Sequence, residues 1–243
     1  MSNRFAVLLA AAGKSSRFVE TGASATKKIF VDLCGQAVWQ HSAALFANDE
    51  RVRQLIVILS PEDRDFFETE YARQIKQWSL ELVDGGAERF ESIENGLRNV
   101  RDDIDFVAIH DAARPCLRAE QIDAVFRQAE QSDAAILAAP VVGTIKRSAA
   151  APHNIAAKNT MPLDIVETVP RDNLWEAQTP QVFRRSLIVK AFARREGKHV
   201  TDDSQLVENL GHVVKIVSSD RANIKITSTS DLTMAERFLL SAQ

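Results

Sequence analysis

The chain has 243 residues, 45% of them hydrophobic and 26% charged, with a formal net charge of -3. That length can bury one sizeable core and sits near the upper size of a single domain. The acidic balance excludes nucleic acid as the main partner, because a duplex binder needs a surplus of Lys and Arg, so any anion site must be local.

Arg4 followed by "FAVLLAAA" has the order of a secretory signal, a charge and then an apolar run ending in small residues. The run is also the right length for a buried first strand and leads directly into a glycine-containing loop, which is the reading adopted. In that loop Gly13-Lys14-Ser15 forms the tail of a phosphate loop, but Leu8 stands where the pattern needs its first glycine. Cys34 and Cys116 are too few for a disulfide scaffold and read as reduced thiols in a cytoplasmic protein. Short apolar runs then alternate with helical patterns: "VWQHSAALFAND", "QLIVILS", "PEDRDFFETEYARQI", "LELVDGG", "RFESIENGLRNV", "FVAIHDAA", "AEQIDAVFRQAEQ" and "AAILAAPVV". This is the rhythm of βαβ units, and strands apolar throughout are strands buried on both faces. The expected fold class is α/β, one Rossmann-like, mostly parallel sheet flanked by helices. No apolar run approaches the ~18 residues of a membrane span.

After Pro140 the rhythm breaks. From about 141 to 171 there is no helical period, and "DIVETVPR" partly alternates apolar and polar residues. Such a segment in a compact domain reads as a protruding β arm with some other surface to cover, and a second copy of the chain is the natural candidate. Helices and a strand return in "RRSLIVKAFARRE", "DDSQLVENLG", "HVVKIVS" and "DLTMAERFLLSA".

Ligands of open parallel sheets bind beyond the carboxyl ends of the strands, and the informative residues cluster there. After the first strand come Ala11, Ala12 and Gly13, then Lys14, Ser15, Ser16 and Arg17, then Lys27 and Lys28. Small residues let backbone N–H groups approach an anion, and the cations can neutralise a polyphosphate; taken alone, the loop reads equally well as a tight turn with solvated charges. After the third strand come Gly85 and Gly86 with Ser92 in the next helix, and after the fourth come Asp111 and Arg114 in "HDAARP". Asp111 is a candidate for a metal or a hydroxyl, or simply a turn residue. A dinucleotide fingerprint needs three glycines in the first loop, which has one. Neither cysteine has zinc-ligand spacing, and no Ser-His-Asp arrangement emerges.

Together "LAAAGKSSRF", "KIFVDLCGQAV", "DGGAERFESI", "HDAARPCL", "APVVGTIKR", "VPRDNLWEAQTPQVF", "TDDSQLVE" and "ANIKIT" resemble, in order and spacing, the 2-C-methyl-D-erythritol 4-phosphate cytidylyltransferase family over nearly the whole chain. The resemblance implies attack of a sugar-alcohol phosphate on the α-phosphorus of CTP, release of pyrophosphate, and use of Mg²⁺. It makes Arg17, Lys28, Arg171 and Lys225 the catalytic cations, with Lys27 a bystander. Ala11, Ala12, Gly13, Gly86, Ala87, Ser92, Asp111 and Ala112 then hold the nucleotide. Asp111, Arg114, Thr144, Arg171, Thr179 and Lys225 position the acceptor, and Asp111 is the candidate metal ligand. Thr144 and Arg171 fall on the arm and reach a partner's site, which implies a homodimer. Three positions depart from the family pattern: Ser15 stands for a usual glycine, and Ala87 and Ala222 for residues that are often acidic. Two other readings stay open, ribitol 5-phosphate as the acceptor and a non-catalytic nucleotide-binding module on the same scaffold.

Overall fold

A computed structural model describes residues 3–13, 15, 18, 27–149, 162–195 and 202–241. Strand β1 (Phe5–Ala10) is followed by a small hairpin, β2 (Asp32–Leu33) and β3 (Gln36–Ala37), and by helix α1 (Val38–Ala47). The hairpin turns on Cys34 and Gly35, at φ 53° and 83°; these left-handed conformations suit a tight two-residue hairpin. Next come β4 (Val52–Leu59), α2 (Arg64–Glu70), α3 (Ala72–Gln77), β5 (Glu81–Asp84) and α4 (Arg89–Arg98). The helical pattern "PEDRDFFETEYARQI" is thus not one helix. It breaks at Tyr71, whose ring packs 5.0 Å from both Phe67 and Trp39 instead of continuing the turn outward. β6 (Phe106–Asp111), α5 (Ala119–Ser132) and β7 (Ala134–Pro140) complete the regular alternation, α5 ending on Asp133 at φ 63°.

The arm is a β hairpin of β8 (Ile145–Ser148) and β9 (Ile165–Val169), paired antiparallel. Beyond it lies β10 (Trp175–Arg184), which the sequence rhythm does not announce. It runs antiparallel between β6 and β7 in a seven-stranded sheet of order β11-β7-β10-β6-β1-β4-β5, all other neighbours being parallel. The chain closes with α6 (Arg185–Ala193), α7 (Ser204–Glu208), β11 (Lys215–Ser218) and α8 (Thr229–Ser241).

The apolar strands are buried on both faces, as expected of a sheet between helix layers. Phe5, Val7 and Leu9 of β1 pack with Trp39, Phe46, Phe67 and Phe126 on one side, while Ala6 and Leu8 pack with Ile93, Leu97 and Ile188 on the other. On and just after α4, Ile93, Leu97 and Val100 form a stripe at helical spacing in that second layer, with Phe90 partly buried against it. Each large side chain fully buried in this way contributes about 1.5–3 kcal/mol relative to exposure. The carboxyl ends of β1, β4, β5 and β6 therefore open toward one edge of a rigid slab. No helix among the described residues is long and apolar enough to cross a membrane.

Candidate active site

A cleft of about 750 Å³ lies over those strand ends. Its floor is Ala10 to Gly13, small enough to leave the space above the β1 end open, and a side chain at Gly13 would meet nothing within 4 Å. The wall after β5 is held close by its glycines. A Cβ at Gly85 would sit 2.6 Å from that of Ala12 and 2.9 Å from Ser92 Oγ, and one at Gly86 would sit 2.3 Å from that of Glu91. Ser92 Oγ accepts the Gly86 N–H at 3.0 Å and donates to the Glu88 carbonyl at 3.1 Å, so this serine shapes the Gly86–Ala87 turn.

Ser15, the departure from the family's glycine, keeps the glycine-like backbone at φ 53° and is buried. Its Oγ accepts the Lys28 N–H at 3.4 Å and its carbonyl accepts the Phe18 N–H at 2.9 Å. The Cβ is therefore accommodated by a left-handed residue that also touches the turn carrying Lys28. Lys28 opens a short 3-10 turn, Lys28–Phe30, and lines the cleft. Lys27 does not line the cleft; its ammonium is held by donating to Ser60 Oγ and Asp63 Oδ2, both at 2.6 Å, and to Glu62 Oε1 at 3.1 Å. That cluster ties the Lys28 turn to the end of β4. Arg17 lies outside the described residues, as do Lys14 and Ser16.

Across the cleft, Asp111 ends β6 with only 7% of its surface exposed. Lys225 Nζ is 2.8 Å from its Oδ2, Arg114 Nε 3.5 Å from the same oxygen, and Arg89 Nε 4.0 Å from Oδ1. Burial alone would raise this carboxyl, but the facing charges of Lys225, Arg89 and Arg114 outweigh it and hold the group well below the usual carboxylate range. Arg89 in turn makes a two-pronged pair with the buried Asp203, at 2.9 and 2.7 Å. Its burial is outweighed by Asp203, Asp111 and Asp202, so it stays charged. Asp203 is set by β10: Gln181 donates to Asp202 Oδ2 at 3.2 Å and accepts the Ser204 N–H at 3.1 Å. Lys225 lies in the irregular segment between β11 and α8, not on a strand. One backbone hydrogen bond, Ile226 N–H to the Ala113 carbonyl at 2.8 Å, lays it over Asp111.

Of the residues expected here, Ala11, Ala12, Gly13, Lys28, Gly86, Ala87, Ser92, Asp111 and Lys225 all line the cleft. Ala112 is fully buried, and its neighbour Ala113 lines the wall in its place. Arg114 stands behind Asp111, donating to the Asn223 carbonyl at 2.7 Å, and burial lowers its pKa. Thr179 is buried and its hydroxyl contacts the Asp111 N–H and His110 Nδ1, each at 3.0 Å, so it supports the wall from inside. Thr144 and Arg171 are exposed on the arm and do not line this chain's cleft; Arg171 donates to the Val142 carbonyl. Ala222 is anchored by its N–H to Asp220 Oδ1 at 2.9 Å. Arg89 was missed in the sequence, because its meaning depends on Asp203, 114 positions away. His110 is fully buried, and burial pushes its imidazole down to about 3, which removes it as a base. Among the described residues no group of three or more His, Cys, Asp or Glu side chains can hold a metal ion. Asp111, which lines the cleft together with the more exposed Glu62 and Glu88, suits Mg²⁺, which takes one or two carboxylates and fills its shell with phosphate oxygens and water.

The family model for IspD, 2-C-methyl-D-erythritol 4-phosphate cytidylyltransferase, matches residues 5–241. The enzyme of that name from Rhodopirellula baltica is 38% identical over 96% of this chain and 93% of its own length. That of Caldanaerobacter subterraneus is 37% identical over 96% and 97%. The crystal structure of the Francisella tularensis enzyme superposes with a TM-score of 0.76 at 27% identity, covering 98% of this chain and all of that one. With the match spanning the sheet, the cleft and the arm alike, the chain belongs to the 2-C-methyl-D-erythritol 4-phosphate cytidylyltransferase family.

Proposed function

We propose that this protein transfers a cytidylyl group from CTP to 2-C-methyl-D-erythritol 4-phosphate, releasing pyrophosphate. The observation that carries this reading is the cleft itself, with a floor of small residues flanked by Lys28 on one wall and by Lys225 and Arg89 around Asp111 on the other. In the reaction an oxygen of the acceptor phosphate attacks the α-phosphorus of CTP, a new P–O bond forms, and the bond to the β-phosphate oxygen breaks. The acceptor phosphate is already anionic, so no general base is required, and catalysis reduces to alignment and neutralisation of charge. Lys28, joined by Arg17, neutralises the oxygens of the α-phosphate as charge builds there. Cytosine and ribose lie against Gly86, Ala87, Ser92 and the end of β6. Asp111 holds Lys225 and Arg89 in place and would be the residue to hold Mg²⁺, which would supply further charge neutralisation when bound.

Thr144 and Arg171 serve the acceptor in a second copy's cleft, which makes the working unit a homodimer joined through the arm. The exposed apolar side chains Ile165 and Val166 on the arm, and the absence of Thr144 and Arg171 from the lining of their own cleft, support that assignment. A cytoplasmic location agrees with the two free cysteines. The test is pyrophosphate release with Mg²⁺, CTP and either methylerythritol phosphate or ribitol 5-phosphate. Turnover with the first is expected. Preference for the second would reassign the acceptor, and activity with neither would leave a nucleotide-binding module.

A further inference from the structure

We infer that His110 is a positioning residue for the active site: as a neutral imidazole protonated at Nε2, it holds the Thr179 hydroxyl and, through it, the Asp111 main chain. The inference rests on the proposed reaction for its consequences but on geometry for its substance. His110 is fully buried, does not line the cleft, and packs edge-on against Phe46 at 5.3 Å. Its ring sits midway in a hydrogen-bonded chain whose directions follow from its two ends. The Asp111 main-chain N–H can only donate, and it meets Thr179 Oγ1 at 3.0 Å. The Arg114 carbonyl can only accept, and it takes the Ser42 hydroxyl proton at 2.8 Å.

With that proton committed, Ser42 Oγ is left to accept from His110 Nε2, 3.2 Å away, so Nε2 carries hydrogen. A proton on Nδ1 as well would give Thr179 Oγ1 two donors and leave its own proton to find another acceptor in the interior. A bare Nδ1, 3.0 Å from that oxygen, takes the proton instead. Each donor then has one acceptor. The chain begins and ends on the same turn, at Asp111 and Arg114, whose side chains face each other at 3.5 Å. One imidazole thus braces that turn from both sides, using Ser42 of α1 and Thr179 of β10 as struts.

Two substitutions separate the halves of this brace. His110→Asn offers an amide oxygen near the place of Nδ1 and keeps an acceptor for Thr179, whereas His110→Gln extends an amide nitrogen toward the place of Nε2 and removes it. Both disturb the core. With CTP saturating, His110→Gln is expected to lose about 30-fold in kcat/KM for methylerythritol phosphate, the scale of one unmatched buried group. His110→Asn is expected to lose about 3-fold, with similar losses of Tm and little change in KM for CTP in both. Equal activity losses, or the larger loss in His110→Asn, would overturn the inference. The wild-type two-bond ¹H–¹⁵N spectrum decides independently of activity and of variant folding: the Nε2–H tautomer at neutral pH is expected, and an Nδ1–H or imidazolium pattern overturns it. Inactive wild-type protein would sink the proposed reaction and leave that spectrum to judge the brace.

Discussion

Around Asp111 the chain supplies its own partners, whereas the arm of β8 and β9 presents its side chains outward. Asp111 and Asp203 are 7% and 2% exposed, the first facing Lys225, Arg114 and Arg89 and the second paired with Arg89, while Ile165 and Val166 on the arm are both 63% exposed. The wall is finished by residues far apart in one chain; among the described residues nothing covers Ile165 and Val166 of the arm to that extent. The contrast teaches that one copy holds a cleft already braced for charge, plus a hairpin whose exposed apolar side chains suit the partner role proposed above.

Breaking the cleft should have the largest effect. Lys28→Ala is expected to lower kcat about 10²–10³-fold, as loss of one preorganised charge does, with a smaller change in CTP affinity. Steady-state kinetics checks this, and a loss confined to CTP affinity would reassign Lys28 to ground-state binding. Next comes stability on the two sides of the comparison. Asp111→Asn leaves the buried Arg114 without its facing carboxylate and should cost about 3 kcal/mol, whereas Arg147→Ala, which removes the exposed arm pair with Glu167, should cost less than about 1 kcal/mol. Denaturant unfolding of the two variants would measure the difference.

Acid should find the wall before the arm. His110 is pushed down to about 3 by burial, against about 6.5 in the unfolded chain, so between those values the unfolded state binds the extra proton. Stability therefore rises with pH through that window and falls as acid is added, by up to about 1.4 kcal/mol per pH unit for this group. Asp111, held low in the folded state, acts in the same direction below about pH 4: its stabilisation is present above the unfolded value and lost as pH falls. His110→Asn should flatten the upper part of that profile. The smallest effect is expected of Ser15→Gly. It relieves a left-handed backbone at φ 53° but loses the contact to Lys28 and adds chain freedom, so Tm should move little, within about 0.5 kcal/mol of stability.

Much of this was legible in the sequence because periodicity reports burial. β1, β4, β6 and β7 are apolar on both faces and announce themselves, as does the stripe of α4. β10 does not, because Gln178, Thr179, Pro180 and Gln181 interrupt its apolar run. Their side chains are nevertheless internal: Thr179 binds His110, Gln181 binds Asp202 and Ser204, and Gln178 donates to the Asp220 carbonyl. A buried polar residue and a loop residue look alike in one sequence. The small residues of the cleft floor and the cations Lys28 and Lys225 could be found from their place after strands and from the family pattern. Arg89 and the pinning of Lys27 could not, since each depends on partners brought close only by the fold.

The most direct test of a cleft served by another chain's arm is complementation. Chains carrying Lys28→Ala and chains carrying Arg171→Ala, each expected to be inactive alone, are co-expressed with different tags and assayed for pyrophosphate release. Random pairing should restore about one quarter of wild-type activity, since half the dimers are mixed and each mixed dimer has one intact site. No recovery in isolated mixed dimers, or full activity of Arg171→Ala as a monomer, would contradict the account.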